Sequence, residues 1–559
     1  MVDRKWMVLS NTSLAVLMTS LDASTIVIAL PTIGKSLAET SALDIVWMLL
    51  GYQLVLGSVL VNVGRFADIL GRARLYKVGY IALTIGSALC SIAQTGDQLV
   101  LFRFIQGGGA ALIQANSTAI ILDAFPPKER GRALGINSMS LSSGMILGLV
   151  LGGALTTVLG WRSIFWINIP IGIFSIAWSQ LSLKELRKLP GRPKIDVVGN
   201  ITFLGALAMF LSGVSFFALR LIGLTAFLAL VAGGALSFVA FVYTELHASA
   251  PMLNLSLFKV RPFAVGNVIS IVNNLGRGTI QLVLTFYLQG PTMLLSPLVA
   301  GFYLLPNALA TIVAAPLSGV LSDRYGYRIF TLAGTILGTA GALLLAQVGP
   351  QTSYIAFAIP LLVNGLGGGL YMTPNRAQVV GAVPPAERGV ATGVYMTFNN
   401  VGGLLSRGVT FLVMGLVLPA AVLQAIFAGS NAAGSPAAWS GEFISSMHVV
   451  FYFTAALTSV AAVLCFLWFI GVIHDKIEEE EETVASVKPR PTPTATSEAP
   501  AETGDSTWKG ERETTGTTSK PRALLGVSSW KGWRRLGLTA PRRRHLLVQV
   551  SEPVDEGHE

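Results

Sequence analysis

Two short phrases each occur twice in this chain at nearly the same offset, which restricts the fold to one built from two related halves. The first reads Pro126-Pro127-Lys128-Glu129-Arg130-Gly131 and returns as Pro384-Pro385-Ala386-Glu387-Arg388-Gly389, 258 residues later. The second runs from Gly64 through Asp68 to Gly71, Arg72 and Arg74. It returns as Gly319, Asp323, Gly326 and Arg328, with Gly319 255 residues after Gly64. Each copy lies in a short charged stretch between long apolar runs. One repeated phrase is within reach of chance, whereas two in a common setting point to internal duplication.

The runs between the phrases belong in a membrane. Only 12% of the 559 residues are charged and 52% are hydrophobic, against about 25% charged in a soluble domain. Apolar runs of roughly twenty residues recur, enough to cross the hydrocarbon core. Backbone groups must be satisfied inside lipid, so the runs are expected to be helices. The fold class is therefore an all-α integral membrane protein, and the 59 glycines suit close helix packing. Cys90 and Cys465 both fall within apolar runs and suggest neither a disulfide framework nor a metal site. No histidine falls mid-span, which argues against a histidine proton relay. The net charge of +10 sits in loops and tail, so it reads as membrane topology and not as nucleic-acid binding. The first apolar run is too long for a cleavable signal and is followed by Gly34-Lys35.

Fourteen spans are expected, at roughly 6–30, 45–66, 75–94, 98–121, 133–158, 162–182, 197–218, 221–244, 263–288, 298–322, 329–347, 352–374, 390–417 and 446–473. Arg220 and its neighbours alone separate the seventh and eighth, which suggests a tight hairpin. Loops after even-numbered spans hold about twenty Lys and Arg, while the opposite loops hold Lys35, Arg162 and Arg220. Both termini are thus expected in the cytoplasm of a cell with this protein in its plasma membrane. Each phrase follows the equivalent span of a half. The expected organisation is a six-helix unit over 1–190, a two-helix insert over 191–250, a second six-helix unit over 251–474 and a disordered tail over 475–559. The tail opens on the acidic run Glu478 to Glu482 and ends in a basic stretch with Trp530 and Trp533. That stretch reads either as a lipid-binding segment or as a disordered tail with no membrane role. The segment from about 418 to 445, with Trp439 and Glu442, is expected to face outward. A duplicated bundle of this kind is the architecture of a membrane transporter.

Several motifs carry a family resemblance over about residues 6–473. Gly64 to Arg74 resembles motif A of the major facilitator superfamily. Arg103-Phe104-Ile105-Gln106-Gly107 resembles its motif B. Leu21-Asp22 to Pro31 and Trp161-Arg162 to Gly172 are similar to first- and sixth-helix motifs of its fourteen-span drug:proton antiporters, the EmrB/QacA type. The glycines of the antiporter motif C are present as Gly144, Gly148, Gly152 and Gly153, but Leu149 stands where that motif has proline. A proline would remove one backbone bond and bend the helix. The resemblance implies the major facilitator fold, a proton gradient as energy source with no cofactor, and a monomeric carrier. It also implies that Gly64, Asp68, Gly71, Arg72, Arg74, Asp323 and Arg328 form a gating latch between the halves.

Asp22 falls in the outer half of the first span and Arg103 in the outer part of the fourth, so the two can pair. Burial disfavours a charged carboxylate and a nearby arginine favours it, so a change in their separation would switch proton affinity. The alternative is a static pair that fixes packing. Arg277 and Arg407 fall near the middle of the ninth and thirteenth spans, where an uncompensated charge costs several kcal/mol. Each either bonds a local carbonyl or one of Asn273, Asn274, Asn399 and Asn400, or lines a central cavity and attracts an anionic substrate group. Tyr52 and Gln106 are weaker cavity candidates. The expected function is proton-driven export of hydrophobic or amphiphilic compounds. A carrier of a specific anionic metabolite or lipid, using Arg277 and Arg407, is the alternative, and a membrane sensor or scaffold a third. No nucleotide-binding loop, nucleophile elbow or metal-ligand cluster marks an enzyme or an ATP-driven pump.

Overall fold

The computed structural model describes residues 3–486, apart from 127–128, 184–195, 249–250, 252, 254, 291, 351, 385–386 and 429–435; within its helices the side chains at 61–62, 64–65, 68–69, 428, 436–438 and 472–486 are also outside the description. The described residues are helical. A first set comprises α1 (Arg4–Ser36), α2 (Ala42–Leu70), α3 (Arg72–Ile92), α4 (Gly96–Ala124), α5 (Arg130–Leu159), α6 (Ser163–Trp166) and α7 (Asn168–Ser182). Next come α8 (Val197–Ala218) and α9 (Leu224–His247). The last set is α10 (Arg261–Arg277), α11 (Ile280–Gln289), α12 (Pro297–Tyr325), α13 (Tyr327–Leu345), α14 (Tyr354–Gly381), α15 (Arg388–Val417), α16 (Ala420–Ala428) and α17 (Pro436–Ser486).

Local chemistry sets where these helices start. Ser41 and Asp44 form a reciprocal capping box at α2, and Thr95, Ser296 and Ser353 cap α4, α12 and α14. The repeated phrase explains the sharpest turns. Gly71 has φ +102° between α2 and α3, and Gly326 has φ +89° between α12 and α13. Only glycine enters that region without steric cost, so both copies need it. The hairpin expected at Arg220 joins α8 to α9, and Arg220 itself has φ +56°.

Duplication extends into the packing. Gly79 of α3 meets Gly109 of α4, and Gly334 of α13 meets Gly367 of α14. Gly86 lies against Gln106 as Gly341 lies against Asn364, and Gly107 touches the Tyr52 carbonyl as Gly365 touches that of Asn307. Missing Cβ atoms let each pair of helices approach closely at the same places in both sets.

Twelve of the described helices are long and apolar enough to cross a membrane, against the fourteen spans expected. The two expected spans outside that group are the fourth and the ninth. Arg103, Gln106, Gln114 and Asn116 lower the hydropathy of α4. The ninth is broken at Gly278 and Thr279 into α10 and α11, of 17 and 10 residues. At the C-terminal end of the bundle, α17 continues to Ser486, past the boundary expected at 474. Glu, Lys and Ala are good helix formers, so the acidic run extends the helix. The rest of the expected tail, including Trp530 and Trp533, falls outside the described residues. In the 418–445 segment, α16 packs on α1 and α2, and Trp439 is buried.

The two sets meet along two seams, α5 against α12 and α2 against α15, while α8 packs into the side of the second seam. Call the face where α1 begins the near face and the opposite one the far face. Three hydrogen bonds join the two sets toward the far face: Gln289 to the Ile28 carbonyl at 2.8 Å, the Leu298 N–H to Thr157 at 3.2 Å, and the Ala42 N–H to Gln424 at 3.1 Å. Gly301 is pressed on the Leu149 carbonyl there. Toward the near face, Gly131 and Gly135 of α5 and Gly389 and Gly393 of α15 have open space around them. The two sets are thus held together at the far face. A methyl added at Gly153 would lie 2.5 Å from the Pro297 carbonyl oxygen across the closed seam. Overpacking of this kind costs about 1–3 kcal/mol, a change in population of roughly five-fold to over a hundredfold. Gly153→Ala is therefore expected to open the far face, read as slower cross-linking of a Thr157→Cys/Leu298→Cys pair. An unchanged rate would mean that the seam relaxes around the methyl.

Candidate functional site

In the first set, a continuous α1 and a close α3–α4 contact bring a carboxylate and a guanidinium together in the protein interior. Asp22 and Arg103 are each 1% exposed, and Arg103 Nη1 donates to Asp22 Oδ2 at 2.7 Å. Arg103 Nη1 also donates to Gln106 Oε1 at 2.7 Å, and its Nε donates to the Met48 carbonyl at 3.2 Å. The guanidinium lies 4.3 Å from the Tyr52 ring centroid, a cation–π arrangement. Asp22 Oδ1 accepts from Asn168 Nδ2 at 2.8 Å and from Gln106 Nε2 at 3.4 Å, while Gln106 Nε2 also donates to Ser87 at 2.7 Å. Five helices thus supply one cluster. A buried pair persists only with such added hydrogen bonds, because desolvation offsets much of the Coulomb attraction.

The residue pattern did not single out Met48, Ser87 or Asn168 as sites, and of these it is Asn168 that touches Asp22. It starts α7 just after the α6–α7 break, a position visible only as part of the sixth-helix motif. Its Oδ1 is buried with no hydrogen-bond partner among the described residues. Tyr52 and Gln106, expected as cavity residues, are 2% and 0% exposed and belong to the wall of this cluster.

The remaining expected residues separate. Gly144, Gly148 and Gly152 meet Ser20, Ser24 and Thr25 of α1, while Gly153 turns to α12. Arg72 donates to Asp123 of α4 at 2.9 Å, within the first set, and Arg74 is exposed. Asp323 is exposed, and Arg328 lies over the rings of Tyr327 and Trp468 at 5.5 and 5.6 Å. The side chain of Asp68 is outside the description, as is that of Gly64's neighbour Arg65.

Arg277 and Arg407 do not act as a pair. Arg277 donates to the Asn364 carbonyl at 2.8 Å and to Asn364 Oδ1 at 3.0 Å. Its guanidinium lies against Gly338 and Gly368, whose missing side chains leave a trough for it. Its partner, Asn364, is none of the four asparagines considered. Asn364 occupies the place that Gln106 has in the first set. Each half therefore holds an arginine on this amide, delivered by α4 in one and by α10 in the other. Arg407 instead lines a cavity in the α2–α15 seam with Leu49, Leu50, Phe286, Phe411 and Phe427, and donates to the Gly403 carbonyl of its own helix at 3.2 Å. Among the described residues, no group of three or more His, Cys, Asp or Glu is placed to hold a metal ion.

The chain is 30% identical over 388 residues to the riboflavin transporter RibZ of Clostridioides difficile, covering 68% of this chain and 81% of that protein. It is 30% identical to multidrug resistance protein 3 of Bacillus subtilis, over 64% of this chain and 69% of that one. It is 32% identical to a probable actinorhodin transporter of Streptomyces coelicolor, over 66% and 65%. Among solved structures, a POT family peptide transporter superposes with a TM-score of 0.59 at 16% identity, covering 83% of this chain and 96% of that one. A bacterial homolog of the human lysosomal transporter Spinster gives 0.56 at 17%, covering 84% and 97%. The family model described as Major Facilitator Superfamily matches residues 12–406 and 266–540. The chain belongs to the Major Facilitator Superfamily, as a small-molecule transporter spanning the membrane many times.

Proposed function

We propose that this chain is a proton-coupled exporter of hydrophobic or amphiphilic compounds, of the fourteen-span antiporter type, working by alternating access. The observation that carries the reading is the buried Asp22–Arg103 cluster, an ionisable pair inside a membrane helix bundle. Asn168 suits both protonation states. Its N–H donates to the carboxylate, and after a half-turn of the amide its carbonyl oxygen accepts the O–H of the acid. Protonation releases Arg103 from its charged partner, and that change is the switch available to the surrounding helices.

Two further spans complete the topology. The 29 residues of α4 reach about 43 Å at ~1.5 Å per residue, more than the ~30 Å hydrocarbon core. The α10–α11 pair makes the other crossing in two pieces. Residues 1–190 and 251–474 are then the two six-helix halves, with 191–250 as the insert. The Lys and Arg bias of the loops supports a cytoplasmic near face in the cell membrane. Transport by a monomer is sufficient for this cycle. The names of the relatives, which include drug resistance and transporters of riboflavin and actinorhodin, support organic molecules as cargo.

The test is uptake of a lipophilic dye, rhodamine 6G, into inverted vesicles under an imposed pH gradient. Accumulation that a protonophore abolishes is the expected result. Accumulation that survives the protonophore would refute proton coupling.

A further inference from the structure

Resting on the proton role of Asp22 given above, we propose that Ser87 and Cys90 of α3 are positioning residues. They lock the Gln106 amide as a permanent donor to Asp22 and thereby set the pH at which Asp22 takes its proton. Gln106 is 0% exposed and bonded at both ends of its amide. Its Oε1 accepts from Arg103 Nη1 at 2.7 Å and from the Cys90 thiol at 3.4 Å. Its Nε2 donates to Ser87 Oγ at 2.7 Å and to Asp22 Oδ1 at 3.4 Å. The Ser87 hydroxyl proton goes to the Leu83 carbonyl at 2.8 Å, which leaves the Ser87 oxygen as an acceptor. A guanidinium has donors only. Turning the amide over would set Nε2 against Arg103, and Oε1 against both the Asp22 carboxylate and a hydroxyl whose proton is engaged. The Gln106 amide therefore has one orientation. Asn168 differs, because its Oδ1 has no partner among the described residues and is free to accept from the acid. A donor that cannot turn favours the carboxylate over the acid, so Gln106 opposes the protonation that Asn168 permits.

Duplication provides an internal control. Gly86 lies on Gln106 as Gly341 lies on Asn364, an offset of 255 residues between α3 and α13. At that offset Ser87 is replaced by Ala342 and Cys90 by Leu345, both 0% exposed. The Asn364 amide bonds Arg277, Asn307 and the Gly338 carbonyl, and no described carboxylate touches it. The same helix contact thus closes on apolar side chains where there is no carboxylate to hold. The hydroxyl and the thiol are not a requirement of packing, and they occur in the half that has the proton site.

The described titratable groups facing Asp22 are Arg103 of α4, Tyr52 of α2 and Cys90 of α3. The other described charged residues of the helices packed on α1 stand at helix ends. Asp44 and Asp97 are at the far face, and Asp123, Arg130, Arg132, Asp323 and Arg324 at the near face. Tyr287 of α11 and Tyr303 of α12 pack on Phe357 of α14, and Tyr325 ends α12. Among the described residues, only the α3 pair and Arg103 fix the Gln106 amide beside the carboxylate.

Infrared difference spectroscopy of the full chain in nanodiscs, titrated over pH, reads the carboxylic-acid carbonyl band that Asp22→Asn removes. Ser87→Ala is expected to move the midpoint of that band up by about half a pH unit or more, because the freed amide can turn and accept from the acid. Cys90→Ala is expected to move it the same way by less, since a thiol is a weak donor. Cys90→Ser keeps a donor and should hold the wild-type midpoint. The two cysteine variants carry the test if Ser87→Ala does not fold. Melting temperatures of the same proteins separate a packing role: a lowered melting temperature with an unmoved midpoint would overturn the proposal. A downward shift, or equal shifts for Cys90→Ala and Cys90→Ser, would also overturn it. A wild-type protein with no Asp22 band at any pH would remove the proton site and sink both readings. A band that titrates in the wild type and stays in place in the folded variants sinks this one alone.

Discussion

Asp22→Asn is expected to abolish accumulation of substrate against a gradient while leaving folded protein that still binds it. One proton entering per cycle contributes about 2.3 kcal/mol per 100 mV of membrane potential, which sustains a concentration ratio of about 50-fold. Each unit of pH gradient adds about tenfold. Without the carboxylate both terms vanish, and the variant can only equilibrate its substrate. The amide keeps the shape of Asp22 and resembles the neutral acid that the proposed cycle itself passes through. A protein that visits that state must tolerate it, so the Asp22→Asn variant should fold. A purely structural ion pair makes the opposite forecast, because a rigid charge left without its partner would show as lost folded protein. Vesicle accumulation and substrate binding measured on one preparation of the variant decide between them. Accumulation at wild-type levels would remove Asp22 from the coupling mechanism.

The parts of this molecule legible in the sequence are those that follow from local patterns. Repeated phrases at offsets of 255 and 258 residues marked the duplication, and the same offsets recur in the glycine contacts of α3 with α4 and of α13 with α14. The proximity of Asp22 and Arg103 was legible because two ionisable groups at similar depth have few other partners in lipid. The fates of Arg277 and Arg407 were not. Both read as mid-span arginines, and what separates them is Gly338 and Gly368, which lie on other helices and open a trough for one of them only. Asn168 was hidden for a related reason. Its role depends on a break between α6 and α7 that turns one amide toward α1. Composition also overstated the number of uniformly apolar helices, since α4 and the α10–α11 pair hold the polar groups that the buried networks need.

Removing the other partner should produce the larger loss of stability. Arg103→Leu leaves the Asp22 carboxylate buried without its cation, and breaking a buried pair from one side costs about 3–5 kcal/mol. The hydrogen bonds to Gln106 and the Met48 carbonyl are lost with it. Replacing both charges is different, because neutral groups of similar volume avoid the desolvation penalty. Asp22→Asn/Arg103→Leu is therefore expected to recover most of that loss, to within about 1 kcal/mol of the wild type. Denaturant unfolding in detergent gives the stabilities, and dye accumulation gives the function of the same four proteins. Additive losses would mean that the two groups do not interact energetically, despite the 2.7 Å contact. Recovery of stability without recovery of accumulation is the informative result. It would show that the fold does not need the charges and that the transport cycle does. A structural pair is dispensable once its site is repacked, whereas a coupling pair is not, so stability and transport must part company in the double variant if Asp22 carries the proton.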